Sequence, residues 1–176
     1  MKLAAAACLG FCLGLAGCAS TKVDTSGAGA GRPLCQPAGQ RLSALVVWHP
    51  QWRHDQKDVA AREAAAQSGI EQFFAGSGCF AAAEVQRGAV IPPRPAADRV
   101  IAITVRELGP VIRLLASPAL VEGGTEVVLE VKVLGRGGEP LADLHTHWQN
   151  GGAFVIKGTR TLAQDMSAAL AAALAF

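Results

Sequence analysis

The chain has no tyrosine, only 3 tryptophans and 6 phenylalanines in 176 residues, and charged residues make up 17% of it. Without tyrosine there is no phenol to act as acid, base or nucleophile. Net charge is +2 at pH 7, and the basic residues are scattered. A polyanion site needs a basic run or patch, so no nucleic-acid partner is implied. No Gly-x-Ser-x-Gly elbow occurs, and no glycine-rich phosphate loop with lysine follows a strand. Glu122, Glu126 and Glu130 resemble a carboxylate set on paper. On a strand, however, Glu126 and Glu130 fall opposite a valine stripe and read as a solvated face. An enzyme is therefore not expected, and no cofactor is implied. Long apolar runs are missing too. The longest, Leu3 to Gly14, is shorter than the roughly 20 residues a membrane-spanning helix needs.

What is present at the start is a secretory pattern: Lys2, then that apolar run, then small residues. Residues 1–17 are read as a signal peptide. The next positions sharpen the reading. Leu15-Ala16-Gly17-Cys18 resembles the lipobox of bacterial lipoproteins. That resemblance implies cleavage before Cys18 and acylation of Cys18. Stable anchoring takes two acyl chains at about 0.8 kcal/mol per buried methylene. In this family an aspartate after the cysteine favours the inner membrane. Here Ala19 and Ser20 follow, so the outer membrane, periplasmic face, is expected.

Two cysteines are left for the folded part, Cys35 and Cys79. An even pair in an oxidising compartment reads as a disulfide, the alternative being two buried free thiols. Neither cysteine has a close Cys or His companion, which disfavours a metal pair.

Residues 18–40 are rich in Ser, Thr, Gly and Ala, and Gly27-Ala28-Gly29-Ala30-Gly31 has no periodicity. This composition predicts a flexible tether, followed by a single α/β domain over 41–176. Within it, Leu42 to Trp48 is apolar on both faces and predicts a strand covered on both sides. Asp55 or Asp58 is available to cap a helix. In that helix Val59, Ala66, Ile70, Phe73 and Phe74 recur at helical spacing, and Gly76 and Gly78 end it. Strands are expected at Cys79–Gln86, Arg99–Glu107 and Val111–Ala116, the last two separated by Gly109-Pro110. Thr125–Leu134 alternates cleanly, with Val127, Leu129, Val131 and Val133 on one face. Leu141–Gln149 pairs back after a glycine-rich turn. A capping box, Thr161 with Gln164, opens a last helix. The expected fold is an α/β (α+β) sandwich. It has a mixed sheet of about five to six strands, two helices on one face, and the order β-α-β-β-β-β-β-α.

The same positions carry a wider resemblance. Leu45-Val46-Val47 leads into a helix that ends on Phe73-Phe74. Then come Gly76-Ser77-Gly78-Cys79-Phe80, Ala97-Asp98-Arg99-Val100-Ile101, and Leu129-Glu130-Val131-Lys132-Val133-Leu134 before a turn. This pattern, over 42–176, is similar to small envelope lipoproteins whose domain resembles the amino-terminal domain of TolB. The group includes lipopolysaccharide-assembly, peptidoglycan-synthase-activating and ABC-transport auxiliary lipoproteins. It implies a non-catalytic module that binds or positions an envelope protein, and it supplies no shared site residue.

Two clusters remain as candidate sites. Trp48-His49-Pro50-Gln51-Trp52-Arg53-His54 leaves the carboxyl end of the first strand, where open sheets place ligands. Trp and Arg are enriched at binding hot spots, so Trp52, Arg53 and His49 are candidate partner-binding residues, unless Trp52 only covers the helix. A right-handed parallel crossover would start the first two strands at one sheet end, beside Cys35 and Cys79. The tether is expected to enter there, leaving the Trp52 loop at the end away from the anchor. His145 and His147, two apart on a strand, share a face. They are candidate metal ligands for an alternative periplasmic metal-binding function, which His49 and His54 could complete only if their loop folds over that strand. The plainer reading is two solvated histidines.

Overall fold

The computed structural model describes residues 19–34, 42–92, 96–114, 121–153, 155 and 157–174. The expected signal peptide, Cys18 and Cys35 lie outside them. Six strands form one mixed sheet. β1 is Ser20–Ala28, β2 Leu42–Pro50, β3 Phe80–Arg87, β4 Arg99–Leu114, β5 Val121–Gly135 and β6 Pro140–Ala153. Helix α1 is Val59–Gly76 and α2 is Leu162–Ala173. The strand order is β1-β6-β5-β4-β2-β3. β2 runs parallel to β3 and β4, and the other neighbours are antiparallel. This is the expected α+β architecture.

Period-2 alternation decides the inner face. Val127, Leu129, Val131 and Val133 are buried, as are Leu144, Thr146 and Trp148 opposite them. With Val46, Trp48, Ile101 and Ile103 they form one core, closed by Ile70, Phe73 and Phe74 of α1 and Met166, Ala169 and Leu170 of α2. Both helices therefore cover the same face. β2 is buried on both sides: Leu45 and Val47 are as enclosed as Val46 and Trp48, which accounts for its unbroken apolar run. The indole N–H of Trp48 donates to Gln67 Oε1 on α1, fixing the helix over the strand.

Four expectations need correction. First, residues 20–28 are not tether but the edge strand β1, in register with β6 from Ser20 opposite Gly151 to Ala28 opposite Asp143. Composition misled because this strand is almost wholly exposed; it is held by the backbone ladder, not by burial. The glycine run ends the strand and turns at 29–31: Gly27, still paired with Leu144, has φ 111°, and a Cβ there would lie 2.1 Å from Asp143 O. Second, Gly109-Pro110 does not separate two strands. β4 runs through it, paired with β5 from Arg99 to Leu114. β2 accompanies β4 only to Val105, so Pro110 falls where β4 has a single neighbour and its missing N–H is tolerated. Third, Asp58 precedes α1 in the left-handed region (φ 55°) and makes no side-chain cap. Fourth, Thr161 does not form a capping box; a 3₁₀ turn, Thr159–Thr161, leads into α2, and the Thr161 hydroxyl donates to Asp165 Oδ2 at 3.0 Å.

Candidate functional site

The site is built where β2 ends and β4 continues. A bulge shifts the β4–β5 register between Val105 and Glu107, and Arg106 sits in it. There Glu107 becomes a hub. Its carboxylate accepts from Arg62 Nη1 at 3.0 Å and Gln56 Nε2 at 3.1 Å, and lies 3.3 Å from Arg53 Nη2. Arg62, buried on α1, also donates to Lys57 O at 2.9 Å and Leu108 O at 2.5 Å. These contacts tie the loop 51–58 to β4. They are charge-assisted, and those between Arg62 and Glu107 are largely removed from solvent, so they set geometry firmly.

The loop so fixed places Gln51, Trp52 and Arg53 beside Arg106, Glu107, Glu126, Val128, His145 and His147 around one open concavity. Alternation places Glu126, Val128, His145 and His147 on the sheet face that the helices leave bare. The two clusters expected separately from the sequence thus meet on one surface. Trp52 is half-buried and packs against the core, and its indole Nε1 is buried without a hydrogen-bond partner. Arg53 is 69% exposed. His49 is not among the residues around the concavity; it stands on β2 opposite Thr104.

The charges here are largely satisfied internally. His147 Nε2 lies 2.6 Å from Glu126 Oε1, and Gln149 Nε2 donates to the same oxygen at 3.0 Å. Arg106 bridges to Glu130 through Nε and Nη2, each at 2.8 Å. Glu126 is thus taken up by hydrogen bonds to His147 and Gln149, and Glu130 by its ion pair with Arg106, rather than the two forming a carboxylate couple. Among the described residues no three of His, Cys, Asp and Glu gather as a metal site would require, so the His145–His147 pair has no completing ligands there. Arg106, Glu107 and Val128 went unnoticed in the sequence. The bulge brings them to the concavity, and no local pattern announced it.

The strand registers also relocate the chain's entry. Ser20 is level with Gly151, Gly124 and Val111, whereas β2 ends level with Val105. Residue 20 therefore enters at the carboxyl end of β2, the end that carries the Trp52 loop. The expected placement at opposite ends is wrong, because β1 reverses the direction assumed for a tether. Cys79 lies at the other end, just before β3; it is buried and disulfide-bonded.

At that other end Asp98 joins the starts of β2 and β4. It accepts from Ser43 N at 2.9 Å and Ser43 Oγ at 2.7 Å, and Arg136 Nη2 is 2.6 Å away. The Ser43 backbone and hydroxyl bonds, with Arg136 and Arg99 adding to them, hold its carboxyl below the usual range.

No family model and no curated protein matches the chain. Solved structures do match. The PelC dodecamer from Paraburkholderia phytofirmans is 13% identical, with 88% of this chain and 97% of that chain covered and a TM-score of 0.46. A point variant of the same protein gives 14%, 88% and 95%, and 0.43. A neuraminyllactose-binding hemagglutinin homolog from Helicobacter pylori is 12% identical over 79% of this chain and 83% of that chain, with a TM-score of 0.36.

Proposed function

We propose that this protein is a lipid-anchored periplasmic binding module. It is held on the outer membrane through acylated Cys18 and presents the concavity at the end of β2 to an envelope protein. The observation that carries the reading is the meeting of Trp52 and Arg53 with Arg106, His145 and His147 on the helix-free face. Aromatic and arginine side chains contribute disproportionately to protein interfaces. The internal hydrogen bonds and ion pairs fit such a role: they hold the polar groups in fixed positions before a partner arrives, which lowers the ordering cost of binding. The lipobox pattern and the resemblance to envelope auxiliary lipoproteins supply the compartment and the partner class. The module is non-catalytic in this reading, as the resemblance to envelope auxiliary lipoproteins implies.

The test is recovery of partners from detergent-solubilised envelopes with the tagged full chain. Arg53→Ala and His145→Ala should each weaken recovery of the partner while the melting temperature stays within a few degrees. Undiminished recovery in both variants would refute the assignment of this surface. Cys18→Ser should move the protein out of the membrane fraction; retention there would refute the anchor.

A further inference from the structure

We infer that the end of the sheet formed by β1, β6, β5 and β4 rests against the phospholipid bilayer, with Ile112 in its interface. The inference rests on the acylated Cys18 of the reading above and adds an orientation to it. Cys18 precedes Ser20 by two residues, which span at most about 7 Å. Ser20 is the first residue of β1, locked beside β6 opposite Gly151. An acyl anchor on Cys18 is therefore not on a slack leash: it is attached close to one defined end of the sheet.

That end is level with Val111. Beyond it β4, β5 and β6 continue past the start of β1: Ile112 lies opposite Gly123, itself beside Gly152, and Arg113 opposite Glu122, itself beside Ala153; with Leu114 opposite Val121 the stretch reaches about 10 Å further at roughly 3.3 Å per residue. Ile112 on this stretch is 70% exposed. An exposed isoleucine on the element that projects past the anchor point gains by meeting lipid, at about 25 cal/mol per Å² of apolar surface removed from water.

The orientation has a consequence for the site. Glu107 and His147 lie four residues back from Val111 and Gly151 along their strands, about 13 Å at the same rise. The concavity then opens close to the membrane surface. The partner it fits is one whose contacting part lies at that surface, not one reaching in from the far side of the periplasm.

The test uses the full lipidated chain in phosphatidylethanolamine–phosphatidylglycerol vesicles. An environment-sensitive fluorophore is attached to Ser20→Cys, Ile112→Cys or Arg136→Cys, with nitroxide-labelled lipid as quencher. Arg136 is an exposed turn residue at the opposite end of the sheet. Blue-shifted, several-fold stronger quenching at 20 and 112 than at 136 is expected. A label at 112 that stays solvent-like while 20 is quenched overturns the orientation, as does quenching at 136. Intact mass separates the two levels. A protein bearing no acyl chains on Cys18 overturns the anchor and the orientation with it. An acylated protein with an unquenched 112 overturns the orientation alone.

Discussion

Gly109 and Arg62 give the sharpest quantitative test of how the site is held. A Cβ at Gly109 would lie 1.7 Å from Arg62 Nη1 and 2.4 Å from Arg62 Cζ. In Gly109→Ala the guanidinium must leave, because the alternative is to displace β4. Its departure forfeits the bonds to Lys57 O, Glu107 Oε1 and Leu108 O. Removing one partner of a buried charged pair costs about 3–5 kcal/mol. Glu107 keeps Arg53 and Gln56, so Arg62→Ala belongs at the low end, about 3 kcal/mol, or a fall of about 10 °C in melting temperature. Gly109→Ala is expected to cost nearly as much. The double variant is the discriminating one. Once Arg62 is truncated, the methyl group has room, so the double should cost little more than Arg62→Ala alone. That is a favourable coupling of about 2 kcal/mol, far beyond the few tenths seen for independent sites. Chemical unfolding followed by tryptophan fluorescence measures it, and Trp52 reports on the loop in the same experiment. Additive costs, or a Gly109→Ala variant within about 0.5 kcal/mol of the parent, would refute the account.

Three further outcomes are expected. Asp165→Ala leaves the buried Thr125 hydroxyl and Lys157, whose side chain is only 17% exposed, without their carboxylate. It should destabilise by about 3–5 kcal/mol, and Asp165→Asn, which keeps an acceptor, should recover part of that; an unchanged unfolding midpoint in Asp165→Ala would contradict the network. Because the folded protein holds Asp98 below its usual range, the unfolded chain takes up its proton first. The stabilisation from Asp98 is complete above about pH 4 and drains away as pH falls through the folded value. Asp98→Asn should flatten the acid limb of the stability curve below about pH 4, and an unaltered limb would refute the assignment. If Cys79 pairs with Cys35, Cys35→Ser and Cys79→Ser should each lower stability by about 4 kcal/mol, the loop-closure value for that span; a silent Cys35→Ser would place the bridge elsewhere.

Much of this was legible in the chain. Val127 to Val133 alternated, and that alone set the face of β5. Phe73, Phe74 and Ile70 recurred at helical spacing and found the core. The unbroken run from Leu42 to Trp48 required cover on both sides, and β2 has it. What stayed hidden depended on partners distant in sequence. β1 carries no hydrophobic pattern because its neighbour supplies hydrogen bonds, not a core. Pro110 looked like a break because the width of the sheet at that level was unknown. The site was half visible. Trp52, Arg53, His145 and His147 drew notice by residue type, as did His49, which stands on β2 opposite Thr104 and not among the residues around the concavity. That the two clusters share one surface depends on a bulge at Arg106 and on Arg62 reaching across from α1. Neither has a local signature.

The most direct test of the central claim is in-cell photo-crosslinking from position 53, with position 136 at the opposite end as control. The account predicts one envelope protein recovered as an adduct from 53 and absent from 136. Adducts at 136 alone, or none at 53 while the protein is folded and membrane-bound, would contradict it.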